Sequence, residues 1–378
     1  MRVLILSCNT GEGHNSCGKA IQESFRSRGI PCEMEDALRF ISPTISKLIT
    51  FGFVRIYRHL PGLFRFGYWF AENHDGMFRE RAGIYKMITA GAERLYHFIL
   101  DEDYDTVICT HVFSALILTD ILRRYHPALH TCFVATDYTC SPSCGQSELD
   151  AYYIPDETLE DDFSSCGLPP EKLISSGIPI RRDFFQSVDR AAVRAHIGLP
   201  ADCRHLLVMC GSMGCGPIRS MVKQMGAQLP ENCDITVICG TNHSLRRKLE
   251  RDHAGQPHIH VYGFRKDISS LMDSADLYLT KPGGISTSEA AIKRLPMVFV
   301  NAVAGCESYN MRFFMRQGAA ATAETPEELA ALALSLLTDP QRLEAMSASF
   351  HEPPAQSPAD RICDDCLNLQ TVGSQRSR

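Results

Sequence analysis

Nowhere in this chain does an apolar run reach the roughly 18–20 residues that span a bilayer, so a transmembrane helix is not expected. A net positive charge is also missing. The formal charge is -6, which argues against bulk nucleic-acid binding. The N-terminal run MRVLILS is stopped by Cys8-Asn9-Thr10-Gly11, too soon for a signal peptide, so a cytoplasmic protein is expected. There is no Gly-Lys-Ser/Thr after a glycine loop, which excludes a nucleotide-kinase phosphate loop. A G-x-G-x-x-G fingerprint is absent too, because Ser16 stands where the third glycine would be, and this weakens a nicotinamide-dehydrogenase reading. Cys363-x-x-Cys366 lacks a second such pair, so no zinc site is expected. The sixteen cysteines then read mostly as small buried hydrophobes of a reducing compartment.

What is present is a repeated unit of apolar strand, glycine turn and helix. The stretch from Ala275 shows it most fully: ADLYLT reads as a strand, KPGGIS as a turn, TSEAAIKRL as a helix and PMVFVN as the next strand. Gly283 and Gly284 let the backbone approach a ligand. A helix beginning near Ser286 would aim its N–H groups and positive dipole end at an anion, most simply a phosphate. Ser286 and Glu289 also have capping-box spacing, a purely local alternative.

The same unit opens the chain. Residues 2–7 form a strand, Gly11 and Gly13 a turn, and a helix with Ala20, Ile21 and Phe25 on one side ends at Gly29. DTVICTH ends at His111, and HTCFVATDYT ends near Asp137. His14, His111 and Asp137 therefore fall at carboxyl ends of strands, where a doubly wound sheet gathers its ligand-binding residues. Asp103-Tyr104-Asp105 has a metal-site look but precedes its strand, on the wrong edge, and reads as loop. HLLVMCGSMGCGP supplies a third glycine turn, with Gly211, Gly214 and Gly216. Between Ala37 and Ala71 there is no Asp or Glu. Arg39, Lys47, Arg55, Arg58 and Arg65 alternate there with aromatics, as in an interfacial contact with an anionic membrane; a domain face with core aromatics is the alternative.

The expected architecture is α/β, with two Rossmann-like domains facing a central cleft. Residues 1–178 would form the first and 205–357 the second, with 179–204 a charged linker, 358–371 a helix packing back on the first domain, and 372–378 a disordered tail.

The segments TGEGH, THVF, FVATDYT, DAYYIP, SGIPIRRDF, MCGSMGCGP, CGTNHSL, VYGF, TKPGGISTSEAAIKRLP and GCESYN together resemble glycosyltransferase family 28. The matching branch is that of monogalactosyldiacylglycerol synthases and processive diacylglycerol glucosyltransferases. The resemblance runs along nearly the whole chain. It implies a GT-B fold whose first half takes a diacylglycerol or glycolipid acceptor and whose second half takes a UDP-sugar. It implies inverting hexose transfer at the membrane surface, on the inner face of the cell membrane, with no metal or other cofactor. His14 would be the general base, with His111 and Asp137 as alternatives or orienting partners. The donor would be held around Gly11, Gly13, Gly211, Ser212, Met213, Gly214, Asn242, Lys281, Gly283, Gly284, Ile285, Ser286 and Thr287. Glu289 would bind the ribose, Phe264 would meet the uracil, and Glu307 with Asn310 would contact the hexose or phosphate. The peptidoglycan N-acetylglucosaminyltransferase, acting on a lipid-linked precursor, is the related alternative; a non-catalytic UDP-sugar-binding regulator is another. Two departures stand out. Glu12 interrupts a usual run of glycines and places a carboxylate beside His14, which would raise that histidine's pKa or orient its ring. Cys306 replaces a usual Gln.

Overall fold

The computed structural model describes the chain except for Thr10, Pro43, residues 45–61, 63–65, Tyr68, 71–72, His74, Arg81, 301–304 and 377–378. Chain contacts divide it into two compact units: Met1–Arg181 with Pro354–Arg378, and Arg182–Ala302 with Glu307–Pro353.

The first unit is built on a parallel sheet of order β2-β1-β3-β4-β5-β6. Its strands are β1 (Val3–Ser7), β2 (Cys32–Asp36), β3 (Thr106–Cys109), β4 (His130–Val134), β5 (Ala151–Ile154) and β6 (Leu173–Ser175). Its helices include α1 (Glu12–Ser27), α2 (Gly83–Ile88), α3 (Ala92–Asp101), α4 (Val112–Tyr125) and α5 (Glu160–Ser165). Burial follows position in the sheet. Central β1 and β3 are buried at every residue, as the unbroken apolar runs VLILS and TVIC require, whereas the edge strand β6 is only half-buried.

The second unit repeats the plan with order β12-β11-β10-β7-β8-β9. Here the strands are β7 (Arg204–Met209), β8 (Cys233–Ile238), β9 (Ile259–Tyr262), β10 (Leu277–Thr280), β11 (Met297–Phe299) and β12 (Ala320–Thr322). Its helices are α6 (Arg190–His196), α7 (Ile218–Gln228), α8 (His243–Asp252), α9 (Ile268–Ser274), α10 (Gly284–Ile292), α11 (Cys306–Gln317), α12 (Pro326–Leu337) and α13 (Pro340–Ala348). Leu206, Val208, Val237 and Leu279 pack against Met221 and Met225 of α7 and Ala333 and Leu336 of α12 to form its core.

Two boundaries differ from the sequence expectation. The charged segment 179–204 is not a free linker: from Arg182 it belongs to the second unit. Its Arg194 is 5% exposed and pairs with Asp276 at 3.0 Å, a partner far away in sequence. At the other end, α14 (Pro358–Arg376) runs past Val372, into the segment expected to be disordered. This helix belongs to the first unit and is tied to α1 through Arg28, which pairs with Asp360 at 2.8 Å and Asp364 at 3.0 Å.

Candidate active site

In the first unit, the segments that follow the carboxyl ends of neighbouring strands β1, β3 and β4 bring together His14, His111 and Asp137. Helix α1 starts at Glu12 with Gly11 as its extended N-cap, so Gly13 is a helical residue rather than part of a turn. His14 sits in the first turn of that helix. Its Nδ1 lies 2.8 Å from the Thr110 carbonyl oxygen and 2.9 Å from Thr136 Oγ1. A carbonyl can only accept, so Nδ1 carries the proton and shares it with both oxygens. The neutral ring then bears its lone pair on Nε2, as a general base requires.

His111 is set differently. It is the N-cap of α4, and the Phe113 N–H donates to its Nδ1 at 3.1 Å. That nitrogen is an acceptor, so the neutral His111 ring carries its proton on Nε2. The two rings meet edge to face with centroids 4.6 Å apart. Burial and the neighbouring His14 push the His111 pKa well down, which keeps it neutral. His111 thus presents an N–H donor beside the His14 ring. Burial also lowers the pKa of His14, against the opposing pull of Asp137 and the Thr110 hydrogen bond. The expected rise caused by Glu12 does not occur. Glu12 is exposed at the start of α1, and the loss of water around the ring dominates. Asp137 itself lies three residues past the end of β4, in a loop and not in the strand.

Apart from Gly11 and Gly13 at the start of α1, the remaining candidates lie in the second unit, after β7, β8, β9, β10 and β11. Gly211 and Gly214 have φ of +69° and +54°, left-handed values that a side chain disfavours. A Cβ on Gly211 would come within 2.9 Å of Lys281 Cε, so the 211–216 turn and the KPGG loop are in close contact. The turn is pinned from the next strand. Thr241 N–H donates to the Ser212 carbonyl at 2.9 Å, and Asn242 Nδ2 donates to the Gly214 carbonyl at 3.2 Å. Asn242 also caps α8 by accepting from Leu245 N–H at 2.9 Å. Met213 lies within this pinned turn. Gly240 makes the approach possible: with φ +56°, its added Cβ would sit 2.1 Å from the Ser212 oxygen. Gly240→Ala is therefore expected to lower stability by at least about 1–2 kcal/mol from the left-handed backbone alone. A thermal melt would show this.

Helix α10 begins at Gly284, not near Ser286, with Gly283 as N-cap and no side-chain cap. This earlier start rules out the Ser286/Glu289 capping box. Ser286 instead falls in the first turn, where its hydroxyl donates to the Gly283 carbonyl at 3.3 Å, and Glu289 lies inside the helix. Thr287 likewise donates to the Gly283 and Gly284 carbonyls. The amides of Gly284, Ile285 and Ser286 have no intrahelical acceptor in an α-helix and suit an anion. Glu307 and Asn310 hold the adjoining loop. Glu307 pairs with Lys281 Nζ at 2.7 Å, and fully buried Asn310 donates to the Pro282 carbonyl at 3.0 Å. Phe264 is 65% exposed, an aromatic face available for stacking.

Sequence reasoning missed Thr110 and Thr136, the residues that fix the His14 tautomer. Their place just before His111 and Asp137 was the only available signal. Much of the basic and aromatic 39–70 stretch, including Lys47, Arg55, Arg58 and Arg65, lies outside the described residues. Phe66, Trp69 and Phe70 are described and exposed. Among the described residues, no helix is long and apolar enough to cross a membrane.

The fold is a two-Rossmann GT-B glycosyltransferase fold. The structure of Acinetobacter baumannii MurG aligns over 97% of this chain and 99% of its own, with TM-score 0.62 and 15% identity. That of Staphylococcus aureus MnaA with UDP aligns over 98% of each chain, with TM-score 0.64 and 12% identity. The family description Monogalactosyldiacylglycerol (MGDG) synthase matches residues 14–180, and Glycosyltransferase family 28 C-terminal domain matches 205–362. The chain belongs to glycosyltransferase family 28, in the branch that carries the monogalactosyldiacylglycerol synthase domain. It is 25% identical to a processive diacylglycerol beta-glucosyltransferase of Staphylococcus saprophyticus, over 97% of this chain and 93% of that protein. To the Bacillus mycoides protein of the same description it is 27% identical, with the same coverage.

Proposed function

We propose that this protein is an inverting hexosyltransferase that moves glucose or galactose from a UDP-sugar to diacylglycerol or a glycosyl-diacylglycerol. The observation that carries this reading is the tautomer of His14, whose Nδ1 is held by the Thr110 carbonyl while Nε2 bears the lone pair. An acceptor hydroxyl is a poor nucleophile, and Nε2 takes its proton as it attacks the anomeric carbon. His111 and Asp137 position the base: one presents an N–H beside the ring, the other a carboxylate that stabilises the imidazolium formed. The first unit takes the acceptor, and the second takes the donor.

The UDP-sugar carries its own leaving group, so the second unit's task is to stabilise negative charge on the departing diphosphate. The Gly284–Ser286 amides and the 211–216 turn are suited to this, beside the Lys281–Glu307 ion pair. Glu307 and Asn310 fix that loop and are assigned to the hexose or phosphate. Glu289 is assigned to the ribose and Phe264 to the uracil. The exposed Phe66, Trp69 and Phe70, with the neighbouring arginines, support peripheral binding to an anionic leaflet on the inner face of the cell membrane. The test is UDP release with a panel of UDP-sugars on vesicles of mixed lipids. Turnover with a UDP-hexose on diacylglycerol supports the reading; UDP-sugar binding without turnover on any lipid refutes it.

The pH profile follows from the site. The neutral ring is the active form, so the rate rises with pH through the pKa of His14. Burial holds that pKa below 6.5. UDP release is therefore expected to be flat through neutral pH and to fall only on the acid side of 6.5.

A further inference from the structure

Asn15 directly follows His14 on α1, and at 3.6 residues per turn its side chain leaves the helix about 100° around from that ring. The two residues therefore reach different strands. His14 meets Thr110 and Thr136, just past β3 and β4, whereas Asn15 meets groups at the ends of β1 and β2. Ser7 Oγ donates to Asn15 Oδ1 at 2.8 Å, Asn15 Nδ2 donates to Asn9 Oδ1 at 3.0 Å, and Asn9 Nδ2 donates to Asp36 Oδ2 at 3.1 Å. Asp36 Oδ1 accepts the Leu38 N–H at 3.1 Å. Ser7 and Asp36 are register partners at the last positions of β1 and β2, so this chain of bonds starts and ends on paired strands. Its direction is fixed, because a carboxylate only accepts: Asn9 turns its amide nitrogen to Asp36 and its oxygen to Asn15. Helix α1 needs such a tie, since its N-cap Gly11 has no side chain to bond the first-turn amides. Gly18, three residues on and so on the same face, lets the helix press on the same strands. A Cβ there would lie 3.1 Å from Met34 Sδ and 3.2 Å from Ile5 Cγ2.

We propose that Asn15 is a positioning residue for His14: with Ser7, Asn9 and Asp36 it locks the first turn of α1 onto the ends of β1 and β2, and so holds the His14 ring against Thr110 and Thr136. Asn15 takes no proton itself and acts through the ring beside it. Without it, the first turn is held on the sheet by the His14 bonds alone. The ring then drifts from the Thr110 carbonyl, its proton is no longer fixed on Nδ1, and Nε2 loses its aim. His111 and Asp137 sit on other segments, so the loss is confined to the placing of His14.

The rate arm of the test rests on the transferase reading; the spectroscopic arm does not. In the full chain, Asn15→Ala should lower kcat for UDP release on diacylglycerol vesicles by up to about 10²-fold, the cost of misplacing a reacting group by an ångström. The KM for the UDP-sugar should hold, because the Gly284–Ser286 amides and the 211–216 turn are untouched. Asn9→Ala cuts the same chain at an exposed link and should give a smaller loss of the same kind. The double variant should lose no more than Asn15→Ala, since both changes break one network. Nitrogen NMR of isotopically labelled histidine reads the ring directly. His14 should carry its proton on Nδ1 in the native chain, and Asn15→Ala should lose that signature. An unchanged kcat, a loss confined to KM, losses of the two variants that simply multiply, or an unchanged His14 tautomer in Asn15→Ala would each overturn the proposal. If the native chain releases no UDP at all, the transferase reading fails, and the tautomer alone decides the role of Asn15.

Discussion

Replacing His14 with alanine is expected to slow UDP release on diacylglycerol vesicles by about 10²–10⁴-fold, the usual contribution of a positioned general base. The expectation is sharp because the ring is preset. The Thr110 carbonyl fixes the proton on Nδ1, and Thr136 shares it, so the ring reaches the substrate already in its basic tautomer. Because the loss lies in the chemical step, kcat should fall while UDP-sugar binding is retained. His111 cannot substitute, since its Nδ1 lone pair is engaged by the Phe113 amide. Thr136→Val would remove one acceptor and leave the Thr110 carbonyl, so its loss should be smaller than that of His14→Ala. A His14→Ala protein with unaltered kcat would remove the base from this scheme.

The second large effect is on stability, and it falls on the start of β10, the strand that leads to the KPGG loop. Asp276 accepts from Arg190 at 2.6 Å, from Arg194 at 3.0 Å, from Arg204 at 3.3 Å and from the His205 amide at 2.8 Å. Burial alone would raise its pKa, but the His205 amide and the arginines outweigh burial and hold the carboxyl below its usual range. That stabilisation is therefore present at neutral pH and lost as pH falls through the depressed value. Asp276→Ala would leave Arg194 buried without its counterion, although its bonds to the Ser274 and Ala201 carbonyls remain. Breaking one side of a buried pair costs about 3–5 kcal/mol. The denaturant midpoint of the second unit should fall accordingly, and Asp276→Asn, which keeps an acceptor for the amide, should fall less. Equal midpoints for Asp276→Ala and the native chain would show that the arginines find water instead.

These two sites also show which features a sequence exposes. Strands such as VLILS and TVIC could be read directly, because a parallel sheet covered on both faces demands unbroken apolar runs. The glycine turn after β7 marked the candidate ligand site of the second unit, since left-handed backbone such as that of Gly211 narrows the choice of residue. What the sequence hid was pairing over distance. Arg190 and Arg194 look like solvated charges of a linker until Asp276 meets them across the fold. Glu12 looks like the electrostatic neighbour of His14, yet burial sets that histidine's pKa. The start of α10 was misplaced for a local reason. Ser286 resembles an N-cap, but the extended Gly283 already supplies that position.

The configuration and mass of the lipid product test the central claim most directly. Under the proposed mechanism, with Nε2 of His14 as the base for a direct displacement, an α-linked UDP-hexose should yield β-hexosyl-diacylglycerol and one UDP per sugar transferred. An α-linked product, or UDP released with no glycolipid formed, would contradict it.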